Sequence, residues 1–372
     1  MANFRSLALD ILNGRATERL PWFADLSWWR AAEKACGRLE SCFDGEPQGY
    51  VNLHRALHTG LYLPLVWPYR LTIDCPLKIW AEESKDGRRE IYRYETPRGT
   101  LTEVHIQMPE AFTWAYGERL VKSASDLPAL RYFLEAHQFE AATDEADRWN
   151  EIFGEQGLPV VWVPRTPLSR FLVEMAGVEN TIYAIYDTPG EMEEIFRLMR
   201  EMDDSPYRAA ASTSCDLIMI ADNLSSDIIS PALFRKYSLE YYRYRIRELH
   251  NAGKFVLAHI DGTLRGLLPI LSESGLDCAE GVTPAPMGDV APEELRRMAG
   301  KGMTLWGGIP GALFSPIHSE EKFMRYVRRY IEIAALDKNM IVGVGDQVPP
   351  ESDIRRVRRV ADACEEAEIK EA

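Results

Sequence analysis

In the stretch "KFVLAHIDG" (254–262), four apolar residues, Phe255 to Ala258, run directly into His259 and Asp261. Side chains two apart on a strand point to the same face, so the imidazole and the carboxylate would emerge together. Such groups move protons or hold cations. Similar endings recur along the chain. The run 20–26 reaches Asp25, and the run 216–222 ends in Asp222, followed by Asn223. The run 276–282 passes through Glu280, and the run 340–346 ends in Gly345-Asp346. The run 303–309 differs, ending through Trp306-Gly307-Gly308. An acid at one strand end is commonplace. Ionisable side chains at five of six equivalent ends are what a polar site on one face of a packed sheet would produce. Two structural readings stand beside the chemical one: Asp261 caps a helix starting at "TLRGLL", or His259 is a core histidine satisfied by a backbone carbonyl.

The elements that must position these residues follow from the hydrophobic pattern. The apolar runs are "LPWFADL" (20–26), "LPVVWVP" (158–164), "DLIMIAD" (216–222), "KFVLAHID" (254–261), "LDCAEGV" (276–282), "MTLWGGI" (303–309) and "MIVGVGD" (340–346). Between them lie amphipathic segments of helical spacing, among them 189–202, 231–253, 319–335 and 350–368. Strands apolar on both faces, alternating with helices, imply a parallel sheet covered on each side. Seven runs and one further strand, near 181–187 or 60–67, predict an α/β chain folded as a single (β/α)8 TIM barrel. A doubly wound sheet is the competing fold, but no GxGxxG follows the first strand. Residues 77–108 alternate in polarity around Asp86-Gly87 and Arg98-Gly99, which predicts a β-hairpin insertion. The whole chain, 1–372, is read as one domain.

The bulk properties narrow the function classes. The chain has 372 residues, 46% of them hydrophobic, and a formal net charge of −14. That balance argues against nucleic acid, whose phosphates need compensating cations. The six cysteines (Cys36, Cys42, Cys75, Cys215, Cys278, Cys364) form no CxxC pair, as expected of reduced thiols in a cytoplasmic protein. No apolar stretch reaches the roughly 18 residues of a membrane span, and the N-terminal segment lacks a signal-peptide pattern.

The segments "DNLSSDIISPALFRKYSLEYYRYRIRELHNAGKFVLAHIDG", "GVTPAPMGDV", "WGGIPG" and "GVGDQVPP" resemble the uroporphyrinogen decarboxylase superfamily over most of the chain, most clearly from about 215 to 355. The resemblance implies a β/α barrel. It also implies one of two activities, porphyrinogen decarboxylation or corrinoid-linked methyl transfer. The decarboxylase branch carries an Arg-rich N-terminal motif that binds the substrate carboxylates. The corresponding stretch here, "LPWFADLSWWR" (20–30), is aromatic and holds Arg30 alone.

The methyltransferase branch carries a zinc site with a His-x-Cys at one strand end, in some members a Glu on the next strand, and a distal Cys. Carried over, His259 matches the His, Asp261 stands for the first Cys, Glu280 for the Glu and Asp346 for the distal Cys. Both thiolates are thus replaced by carboxylates, which suit harder or borderline ions. Cys278 is either a small core residue or a substitute ligand.

The activity this implies is metal-assisted methyl transfer between a small O-, N- or S-methyl compound and a corrinoid protein, with cobalamin supplied only by that partner. The divalent metal, zinc by resemblance, would act as a Lewis acid on the substrate heteroatom. Asp222 and Asp25 would orient the substrate or move protons. Trp22, Trp28, Trp306 and Tyr186 would line an apolar wall, or else simply pack. The alternative is a decarboxylase-like lyase, with Asp222 or Asp25 as proton donor and Arg165 or Arg170 gripping a carboxylate. Homodimers are frequent among related barrels.

Overall fold

The computed structural model describes residues 3–73 and 78–367. They group into two compact units, one made of 1–68, 143–163 and 210–372, the other of 69–142 and 164–209.

The first unit is built on seven parallel strands: β1 (Trp22–Phe23), β2 (Val160–Val163), β3 (Leu217–Leu224), β4 (Phe255–Ile260), β5 (Cys278–Val282), β6 (Thr304–Pro310) and β7 (Met340–Gly345). Their spatial order is β1-β7-β6-β5-β4-β3-β2. All seven coincide with the apolar runs. Every residue of β5, β6 and β7 is buried, as a sheet covered on both faces requires. One short stretch meets both edge strands. Gly60 bridges Phe23 of β1, while Leu61 and Val66 bridge Gly157 and Val161 beside and within β2, all in parallel. The sheet therefore curls until its edges face a common segment, residues 60–66, that forms no regular strand. At Gly157 a Cβ would overlap the Leu61 carbonyl, so glycine permits this close approach of two backbones. The other candidate for an additional strand, 181–187, is helical instead. It lies in Gly177–Asp187 and buries Thr181, Ala184 and Ile185 at helical spacing.

Inside the curl, Phe23, Tyr62, Leu158, Val160, Leu217, Met219, Leu257, Cys278, Trp306 and Ile341 form one apolar cluster. The helix Phe4–Leu12 adds Ala8 and Ile11 to it. Outside the sheet, the 231–253 segment forms two helices, Pro231–Tyr237 and Leu239–Asn251. The first is capped by the Ser230 side chain, which accepts from Leu233 N. The charged C-terminal segment forms Arg355–Glu365.

In the second unit, residues 78–118 form a four-stranded antiparallel sheet: Lys78–Glu83, Arg89–Thr96, Gly99–Met108 and Thr113–Glu118. The antiparallel pattern anticipated over 77–108 falls within it, although residue 77 lies outside the described residues. Tyr69–Ile73 and His137–Ala141 pair antiparallel in the same unit. Among the described residues, no helix is long and apolar enough to cross a membrane. The five described cysteines are all free, and Cys75 lies outside the described residues.

Candidate active site

His259 and Glu280 are direct partners in the β4–β5 ladder. Adjacent parallel strands in this register place both side chains on the inner face, one layer beyond Leu257 and Cys278, which point into the core. The imidazole Nδ1 lies 2.7 Å from Glu280 Oε2. The other carboxylate oxygen, Oε1, accepts the Tyr62 hydroxyl at 2.9 Å. On the far side of the ring, Nε2 faces Asp346 Oδ1 at 3.6 Å, beyond hydrogen-bond length. The chain Tyr62–Glu280–His259–Asp346 therefore combines residues from the 60–66 stretch, β5, β4 and the end of β7.

The backbone is shaped to this arrangement. Gly281 has φ +76°, and a Cβ there would lie 2.8 Å from Ile260 O and 3.0 Å from His259 Cε1. The imidazole rests on a position only glycine can fill. Asn223 and Asp346 also adopt left-handed backbone, at φ 51° and 69°. Both are residue types that tolerate it; Asn223 sits in the irregular stretch of β3 between Ile220 and Leu224, and Asp346 directly follows β7.

Charge decides the protonation states. Burial alone would push the His259 pKa down, but the carboxylates of Glu280, Asp346 and Asp261 outweigh it and raise it to about 9. The ring is thus an imidazolium at neutral pH. Asp346 is raised to about 6, first by burial, against the opposing pull of His259, with further contributions from Asp25, Asp261 and Glu280. Asp25 is also raised by burial, although its carboxylate accepts from Ser27 N at 2.8 Å and bonds Gln347. The Tyr62 phenol is driven well above its ordinary value by burial and by Glu280, so it remains a donor.

Other expected site residues are placed differently. Asp261 is exposed and its Oδ2 accepts from Asn223 Nδ2 at 3.1 Å. It caps no helix, because the next one begins at Leu268 and Asp289 takes the Leu264 and Arg265 amides. His259 is satisfied by a carboxylate and not by a carbonyl. Asp222 is fully buried with Oδ2 accepting from Tyr242 OH at 3.0 Å, on the helix Leu239–Asn251. The cause is a bulge. The ladder jumps from Ala258–Ile220 to Ile260–Leu224, so strict alternation is lost around Asp222.

Trp22 is not part of an aromatic wall. It stacks on Phe314 at 6.3 Å and donates Nε1 to Val357 O at 3.1 Å, in the outer layer. Trp306 is a core ring, 4.6 Å from Tyr62. Trp28 is half-buried on the helix Ser27–Ala35. Tyr186 is 77% exposed on a helix of the second unit. Arg165 of that unit is ion-paired to Glu174 at 2.9 Å, and Arg170 to Asp203 at 2.5 Å. Cys278 is a core residue whose thiol is pushed up by burial. Sequence reasoning missed Tyr62 and Gly281. The stretch 60–67 reads as a candidate strand, but nothing in it marks the phenol as a partner for Glu280.

The zinc expectation can be tested on the donors themselves. Glu280 spends one oxygen on Tyr62 and the other on His259, whose Nδ1 is thereby engaged, and Asp261 is tied to Asn223. Among the described residues, no group of three or more His, Cys, Asp or Glu side chains is placed to hold an ion. The four residues His259, Asp261, Glu280 and Asp346 do not fit a metal as arranged. They do fit the holding and delivery of a proton.

Residues 167–367, more than half of the chain, match the family described as Uroporphyrinogen decarboxylase (URO-D). The chain belongs to the URO-D family. All of β3 to β7, and hence His259, Glu280 and Asp346, lie in the matched region, whereas Tyr62 and Asp25 precede it. Among solved structures, a methyltransferase from Methanosarcina mazei is similar at a TM-score of 0.64 and 14% identity, covering 98% of this chain and 99% of that one. At that identity the likeness establishes the fold. A 3-dehydroquinate dehydratase from Geobacillus kaustophilus HTA426 is 16% identical over 60% of this chain and 73% of that one, at a TM-score of 0.30 that carries no argument. No curated protein matches the sequence.

Proposed function

We propose that this URO-D family chain is a methyltransferase that moves a methyl group between a small O-, N- or S-methyl compound and a separate corrinoid protein in the cytoplasm. The proposal treats 1–372 as one catalytic domain and the 60–66 stretch as the eighth element of a (β/α)8 barrel, with the polar strand ends at its mouth. The observation that carries it is the placement of His259, with Glu280 on one side of the ring and Asp346 on the other. Its Nδ1 is anchored on Glu280 at 2.7 Å, while Nε2 faces Asp346 Oδ1 at 3.6 Å without a hydrogen bond. A methyl group leaving oxygen, nitrogen or sulfur leaves its bonding electron pair on the heteroatom, and that atom then needs a proton. His259 Nε2–H supplies it and becomes neutral, keeping its Nδ1 proton on Glu280. In the reverse direction His259 accepts the proton. Asp25 and the half-buried Trp28 would contact the substrate.

Family membership supports an enzyme of this broad type, and the fold likeness to a methyltransferase is in keeping with it. Arg30 speaks against a substrate rich in carboxylates. Its guanidinium is spent on Phe43 O, Gly45 O and Glu46, and it lies over the Tyr50 ring.

The test uses free cob(I)alamin and, separately, a corrinoid protein as acceptor, with a panel of methoxy, methylamino and methylthio donors. Methylcobalamin formation is followed by absorbance. Wild type should transfer from at least one donor, and His259→Ala should lose roughly 10²–10⁴-fold, the scale of a general acid. Equal rates in the variant, or no transfer from any donor to either acceptor, would overturn the proposal. One equivalent of a divalent ion in the wild type, lost with His259, would restore the zinc reading. Porphyrinogen turnover without metal would favour the lyase.

A further inference from the structure

We infer that Tyr62 is the positioning residue of this site: its hydroxyl holds Glu280 Oε1 so that Oε2 is aimed at His259 Nδ1 and the imidazole is fixed in one orientation. The inference rests on the proton-transfer reading only for its catalytic consequence. The geometry stands by itself.

Tyr62 is fully buried, with its ring packed edge-on to Phe23 at 6.0 Å and tilted against Trp306 at 4.6 Å. Both neighbours are themselves core residues, so the phenol has little freedom to move. Its hydroxyl proton goes to Oε1, and Glu280 is left with one oxygen for His259. A carboxylate bound through one oxygen can rotate about its Cγ–Cδ bond. Bound through both, it cannot rotate without breaking a buried hydrogen bond. The arrangement follows the logic of an orienting acid behind a catalytic histidine, with one more residue behind the acid. The charged groups around the ring are Glu280 on β5, Asp346 at the end of β7, and Asp261 beyond β4. Neither Asp346 nor Asp261 hydrogen-bonds Glu280 Oε1, which accepts from Tyr62, so the aim of that carboxylate depends on Tyr62. Burial and the Glu280 charge keep the phenol protonated across the working range, so it donates continuously.

The test reads the His259 Nδ1 proton by NMR and needs no substrate, so its outcome is independent of whether methyl transfer is found. A buried imidazole proton bonded to a carboxylate gives a low-field, slowly exchanging resonance, assigned by its loss in His259→Gln. In Tyr62→Phe, which keeps the ring contacts, that resonance should vanish or exchange at least tenfold faster. The buried His54, held between Tyr50 O and Ala24 O, should be unchanged. A folded Tyr62→Phe protein whose His259 proton keeps its wild-type shift and exchange rate would overturn the inference, as would equal disturbance of His54. A second measurement covers a variant that fails to fold. In wild-type protein grown on fluorotyrosine, the more acidic phenol donates more strongly to Oε1, and the His259 proton should shift. An unmoved resonance there overturns the inference equally.

Discussion

The pairing of His259 with Glu280 ties folding stability to pH in a way that can be measured without knowing the substrate. In the unfolded chain the imidazole has an ordinary pKa near 6.5, whereas the folded value is about 9. The folded state binds this proton more tightly, so the group stabilises the fold in full below about pH 6.5. The contribution is lost as pH rises through about 9. Each tenfold in proton affinity is worth about 1.4 kcal/mol, so the rise from 6.5 to about 9 corresponds to about 3 kcal/mol. The side chain is only 16% exposed and its partner 1%, so solvent screens the pair little. Glu280 is the largest of the influences that raise the value, so Glu280→Gln should remove most of the effect. The assay is urea unfolding at intervals between pH 6 and 10, comparing wild type with Glu280→Gln. Other histidines and the thiols titrate alike in both proteins and largely cancel in the difference. The wild-type curve should fall by about 3 kcal/mol more than that of the variant over this range. Parallel curves would refute the assignment of an imidazolium held by Glu280.

Three further outcomes follow from particular contacts. Gly281→Ala forces a Cβ to within 2.8 Å of Ile260 O at φ +76°. It should cost roughly 1–3 kcal/mol in denaturant unfolding and broaden the His259 imidazole signals, whereas an unchanged protein would show that the backbone there relaxes freely. Tyr242→Phe removes one hydrogen bond to buried Asp222. Stability should fall by about 1–3 kcal/mol while turnover per folded molecule stays the same, and a selective loss of turnover would return Asp222 to the reacting centre. Trp22→Phe deletes the bond to Val357 O. It should lower the melting temperature without altering KM, whereas a KM effect would place the ring against substrate.

The sequence by itself determined a good deal. Apolar runs bounded by turns located the seven strands within a few residues, because a strand buried on both faces leaves no polar positions to confuse the pattern. The same runs exposed the polar ends, and with them His259, Glu280 and Asp346, which do come together. Only the tertiary structure could decide how they meet. Register is a relation between strands, and a shift of one residue would have turned Glu280 away from His259. The bulge after Ile220 placed Asp222 on Tyr242, and the two-residue period sent Trp22 outward and Phe23 inward. Tyr62 reaches Glu280 from 218 residues away in sequence, on a stretch too irregular to pair as a strand. Composition marks which side chains can carry a proton. Which oxygen faces which nitrogen depends on close packing between segments that the sequence keeps far apart.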